Sequence, residues 1–203
     1  MKRVEFLFDF GSPNAYFSHK VIPEIEKRTG AKFEYVPILL GGVFKLTNNK
    51  PPMLAFGEVK GKLAYEQLES QRFIKKHSLT AYKFNPNFPV NTLALMRIAV
   101  AAEAEAAGEL MPYVDAAFHY MWEDGRKMDD AEVVRASLLE SGLDADRLIA
   151  ASQTPEIKQK LMANTEAAAD RGVFGSPSFF VGSELFFGKD RLRDVEEEIM
   201  ASD

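Results

Sequence analysis

Strand-forming stretches stand only near the two ends of this chain, and everything from about Lys60 to Arg171 reads as helix. Val4 to Phe10 is an apolar run of strand type. Phe17, Val21 and Ile25 then recur at helical spacing up to a stop at Thr29-Gly30, and Pro23 inside that stretch predicts a kink. Lys32 to Leu40, rich in Phe, Tyr, Val and Ile, is a second strand. A strand, helix, strand opening most economically pairs its strands in parallel, so the chain starts as an α/β domain. GGVFKLTNNKPP, residues 41–52, reads as a loop because Gly, Asn and Pro cluster there.

In the helical block, Thr92 to Ala107 follows an Asn91-Thr92 capping signal, and Leu110, Val114, Phe118, Met121 and Trp122 share a face. Thr154-Pro155 opens a further helix carrying Ile157, Leu161 and Ala168. These stripes read as packing surfaces. SFFV and ELFF, joined by Gly182-Ser183, form a hairpin signal, and Leu192, Val195 and Ile199 mark a final amphipathic helix. The expected organisation is a first part over residues 1–59, an all-α insertion over 60–171, and a return to the sheet over 172–203.

With 203 residues, 46% of them hydrophobic, the chain can bury a substantial core. A net charge of -5 with no basic run argues against a nucleic-acid surface. No apolar stretch approaches the roughly 20 residues of a membrane span. The opening MKRVEFLFDFGSP is interrupted by Glu5 and Asp9 and reads as a strand rather than a signal peptide, so a cytoplasmic location is expected. The absence of cysteine excludes disulfides, redox catalysis by a protein thiol and cysteine metal sites. His19, His77 and His119 form no HxxxH or HxH pair, and no metal site is expected.

Three short motifs carry chemistry. In FDFGSPNAYF, Ser12 stands where a strand ends and a helix begins; it either caps that helix ahead of Pro13 or directs its hydroxyl at a ligand anion. His19 lies about 10 Å along the same helix, too far to activate Ser12 as a hydrolase nucleophile, and no GxSxG elbow is present. In VFGSPSFFVG, Ser176-Pro177 opens a strand; a trans bond there is ordinary, whereas a cis bond would expose the Ser176 backbone to an extended peptide. In GKDRL, Asp190 either caps the last helix or binds a ligand amine while adjacent N–H groups take a carboxylate. Asn49 and Lys50 of TNNKPP are loop residues or carboxylate contacts.

Taken in this order, FDFGSPNAY, TNNKPP, FGSPSFFV and FFGKDRL resemble the thioredoxin fold with a helical insertion of the disulfide-oxidoreductase A family. They are most similar to its branch of kappa-class glutathione transferases and 2-hydroxychromene-2-carboxylate isomerases, in which a serine replaces the redox cysteine. The resemblance spans essentially the whole chain. It implies a glutathione-dependent enzyme with Ser12 on the glutathione sulfur and with Asn49, Lys50 and Lys60 on the tripeptide. Ser176 and Pro177 would face the cysteinyl backbone, and Lys189 and Asp190 the γ-glutamyl end. NFPVNT resembles the segment over the substrate pocket, which makes Phe88, Pro89 and Asn91 wall residues. It also implies a homodimer and a small aromatic or electrophilic substrate from aromatic catabolism. Isomerase, transferase and noncatalytic binding module are the competing activities; disulfide exchange is excluded because the chain has no thiol.

Overall fold

The computed structural model describes residues 2–105 and 109–201. Four strands, β1 (Val4–Phe8), β2 (Phe33–Pro37), β3 (Ser178–Val181) and β4 (Glu184–Phe187), form one mixed sheet in the order β2-β1-β3-β4. β1 runs parallel to β2 and antiparallel to β3, with Phe6 opposite both Tyr35 and Phe179. Gly182, at φ +61, turns β3 into the antiparallel β4. This is a thioredoxin-like arrangement, with the parallel pair from the start of the chain and the hairpin from its end.

All five residues of β1 are buried, because both faces of the strand are covered. On one face Phe6 and Phe8 pack with Tyr35, Phe179 and Phe118, in a core closed by α1 (Pro13–Thr29) and α10 (Leu192–Met200). On the other, Leu7, Ile38, Val43, Ala168, Val173 and Phe180 form a smaller core. Ala168 comes from α9 (Pro155–Asp170), Val173 from the segment after it and Phe180 from β3, while Val43 lies on α2 (Leu40–Thr47). Glu5 is buried there too, paired with Arg171 and Arg3.

The remaining helices are α3 (Pro52–Ala55), α4 (Lys62–His77), α5 (Leu93–Glu105), α6 (Leu110–Trp122), α7 (Ala131–Glu140) and α8 (Ala145–Ser152). The helical character of this region and both start signals agree with the sequence. Leu93 N–H donates to Asn91 Oδ1 at 3.0 Å, and Ile157 N–H to Thr154 Oγ1 at 3.4 Å. The expected end of α5 at Ala106 and Ala107 lies outside the described residues. Trp122 and Met121 are fully buried, as packing residues should be.

α1 runs from Pro13 to Thr29 with Pro23 inside it. One stretch needs correction. In the segment 41–52, residues 41–47 are helical and only 48–51 form a loop: α2 begins at Leu40, so the second strand ends at Pro37 rather than Leu40. Beyond Pro37 the N–H groups of Leu39 and Leu40 go to Thr165 Oγ1 and Asp9 Oδ2 instead of a strand partner. Gly42 lies against α9, with Thr165 Cγ2 only 3.0 Å from where a Cβ would stand, so tertiary packing overrides the poor helix propensity of glycine. No described helix is long and apolar enough to cross a membrane.

Candidate active site

The site is built where β1 ends. Ser12, 5% exposed, caps α1: its Oγ accepts the Ala15 N–H at 3.2 Å, with Pro13 at the first helical position. The hydroxyl proton remains available for a second bond, and it is donated to the Ser176 carbonyl at 2.8 Å. Capping and the bond to Ser176 therefore coexist, since the first uses a lone pair and the second the proton.

The Ser176-Pro177 bond is cis. Ser176 is buried, its Oγ accepts the Asp9 N–H at 3.1 Å, and its own N–H has no acceptor among the described residues. A free N–H beside a carbonyl with a second lone pair forms an edge that an extended backbone can pair with.

From there the chain brings in the other motifs. Asn49 Nδ2 donates to the Phe174 carbonyl at 2.8 Å, which fastens the TNNKPP loop to the segment leading into the cis bond. Gly188 N–H donates to the Pro177 carbonyl at 2.9 Å, and φ +94 at Gly188 is a conformation that favours glycine. That turn delivers Lys189 and Asp190. Asp190 is not a cap: its carboxylate takes the Lys189 Nζ at 2.7 and 2.9 Å, because the lysine is buried over the Phe73 ring and needs a counter-charge. The N–H groups of Lys189 and Asp190 have no acceptors among the described residues.

The expected wall residues lie on the other side of the β1-α1 turn. Phe88, preceding a cis bond to Pro89, packs on Trp122, whose indole N–H donates to the Phe10 carbonyl at 2.8 Å. Asn91 is committed to capping α5. Lys50 and Lys60 are exposed, and among the described residues neither side chain has a partner tying it to this group.

Sequence reading did not single out Asp9. It is 1% exposed, and its carboxylate accepts N–H bonds from Gly11 at 2.8 Å and Leu40 at 2.7 Å and a bond from the Thr92 hydroxyl. Three segments thus converge on one side chain. Burial pushes the Asp9 carboxyl above its usual range, outweighing the three donors. Gly11 fits because a Cβ there would stand 3.3 Å from both Asp9 Oδ1 and Thr92 Cγ2. The available signal was a carboxylate between two phenylalanines at the end of a buried strand. Nearby, burial raises the Tyr82 phenol to about 12, and burial followed by the Glu123 charge raises that of Tyr16, so both are neutral donors at ordinary pH. His19 is engaged by Tyr35 and Asp115 at 2.9 Å each. No cluster of three potential metal-binding side chains occurs among the described residues.

Among known proteins, the chain is 29% identical over 199 residues to a 2-hydroxychromene-2-carboxylate isomerase of Sphingobium xenophagum, covering 98% of both chains. It is 23% identical to glutathione S-transferase kappa 1 of Homo sapiens, over 94% of this chain and 88% of that one. A solved structure of a 2-hydroxychromene-2-carboxylate isomerase superposes with a TM-score of 0.77 at 26% identity, covering 96% of this chain and 92% of its own. The family model described as a DSBA-like thioredoxin domain matches residues 3–200, and the chain belongs to that family.

Proposed function

We propose that the protein is a glutathione-dependent isomerase acting on a substrate of the 2-hydroxychromene-2-carboxylate type. The observation that carries this reading is the Ser12 hydroxyl, buried at the start of α1 and 2.8 Å from the carbonyl that precedes a cis-proline. The protein residues fit the tripeptide: the free Ser176 N–H and the carbonyl beside it suit a cysteinyl backbone, with Pro177 alongside. The Asp190 carboxylate, 65% exposed, suits a ligand ammonium, and the free N–H of Lys189 a carboxylate. Asn49, Lys50 and Lys60 supply polar and positive groups along the loop.

When bound, glutathione supplies a thiolate that adds to an electron-poor carbon and later leaves. Ser12 would turn its hydroxyl proton from the Ser176 carbonyl to the sulfur, and together with the positive end of α1 it favours the charged form of a thiol placed there. Phe88, Pro89 and Asn91 form the pocket wall. In the same reading residues 1–59 and 172–203 make the thioredoxin-like part, and 60–171 a helical insertion over it. The working form is a cytoplasmic homodimer, for which exposed Met53, Leu54, Phe56, Val59 and Leu68 leave apolar surface; sedimentation at two protein concentrations tests this.

The deciding experiment follows interconversion of the chromene and its open benzylidenepyruvate with and without glutathione. Turnover that needs glutathione without consuming it, and that falls about a hundredfold in Ser12→Ala, is expected. Equal turnover without glutathione overturns the proposal. Net consumption of glutathione by an aryl halide, without isomerisation, would favour the transferase reading that the kappa-class similarity suggests.

A further inference from the structure

Outside the Ser12 site, a cleft of about 230 Å³ opens between α2, α5 and α9. Its walls are apolar, formed by Leu39, Leu46, Leu93, Leu161 and Met162. Its charged residues are Lys45, Arg97 and Lys158, against the single carboxylate of Glu166. Helical spacing puts them there: Lys158 and Met162 are four apart on α9, as are Leu93 and Arg97 on α5.

Arg97 is unusual in this molecule. Every other arginine of the described residues holds a carboxylate in an ion pair. Among the described residues Arg97 makes no ion pair or hydrogen bond, and its Nε is buried without an acceptor. Among the described residues Lys45 and Lys158 also lack carboxylate partners, and Glu166, though on the same wall, pairs with none of the three. A buried donor gives up hydration and gains nothing unless an acceptor arrives, and three unpaired cations on apolar walls ask for an acceptor that carries negative charge.

We propose that this cleft binds a small organic carboxylate with an apolar body, its carboxylate on Arg97 and Lys158 and its body against Leu39, Leu93 and Met162. An arginine offers the forked donor geometry that a carboxylate fits, and the apolar lining favours an aromatic or short aliphatic acid over an inorganic anion. The site is independent of the glutathione reading, because none of its lining residues belongs to the Ser12, Ser176 or Asp190 group.

Titration of 4-fluorobenzoate followed by fluorine NMR tests it, with 4-fluorobenzyl alcohol as the uncharged control. Saturable binding of the acid and not of the alcohol is expected, weakened about tenfold in Arg97→Gln and also in Lys158→Gln, whose half-exposed position makes it tolerant of substitution. Ser12→Ala and saturating glutathione should leave this binding unchanged, whatever they do to isomerase activity. Absence of saturable binding, undiminished affinity in both variants, equal binding of the alcohol, or displacement by glutathione would each overturn the proposal.

Discussion

At Ser12 the oxygen accepts the Ala15 N–H while its proton goes to the Ser176 carbonyl, so one side chain joins the start of α1 to the cis-proline turn. Ser12→Ala removes both bonds and should lower stability by about 1–2 kcal/mol, read from urea denaturation, in addition to its effect on turnover. Asp9 joins three segments, and burial raises its carboxyl above the unfolded value. Its folded form therefore prefers the proton: the stability it contributes is fully present below the ordinary carboxyl range and is lost as pH rises through the raised folded value. Denaturation midpoints measured upward from about pH 4 should show this decline in the parent, and Asp9→Asn, which does not titrate, should flatten it. The Asn amide can satisfy fewer of the three donors, so the variant should also be less stable at the acid end. Ser12 was legible in the sequence because Gly-Ser-Pro after an apolar run places it at a helix start. Asp9 was not, because its partners at Leu40 and Thr92 are far away along the chain.

Among the elements, α2 shows where local propensity fails. Two adjacent glycines, two asparagines and two prolines in residues 41–52 argue for loop, and an isolated peptide of that sequence would have little reason to be helical. Val43, buried against Ile38 and Ala168, and the close approach of Gly42 to Thr165 make the helix worthwhile only once α9 is present. The two glycines should then respond differently to substitution. Gly41→Ala places its Cβ in open space and should stabilise the protein by up to about 1 kcal/mol. Gly42→Ala would meet Thr165 Cγ2 at 3.0 Å, and overpacking of about 1–3 kcal/mol should outweigh the propensity gain. Chemical denaturation of both variants checks the contrast; equal stabilisation would mean that α2 is not held tightly against α9. By comparison the hairpin of β3 and β4, the cap of α1 and the start of α9 were all readable, because a turn glycine, Ser-Pro and Thr-Pro act on their immediate neighbours.

For the whole molecule, glutathione at about 100 times its dissociation constant should stabilise the fold by about 2.7 kcal/mol, a rise in Tm of roughly 5–10 °C for a chain of this size. Asp190→Ala should weaken that rise by removing an exposed carboxylate from the γ-glutamyl end, whereas Arg97→Gln should not alter it. Thermal unfolding with and without glutathione makes the comparison, and no rise in the parent would remove the basis for the glutathione reading. The sequence by itself determined the order of the strands and the helical block between them, since these rest on periodicity and on residues acting over one or two turns, and the order of its short motifs carried the resemblance that implied the thioredoxin-like class. Only the tertiary structure decided that Ser176-Pro177 is cis, that Asp190 neutralises Lys189 instead of capping a helix, that Asp9 gathers Gly11, Leu40 and Thr92, and that Arg97 stands unpaired in a cleft. Each of these depends on a partner brought close by folding, and the burial that gives such contacts their energy exists only when distant segments have packed together.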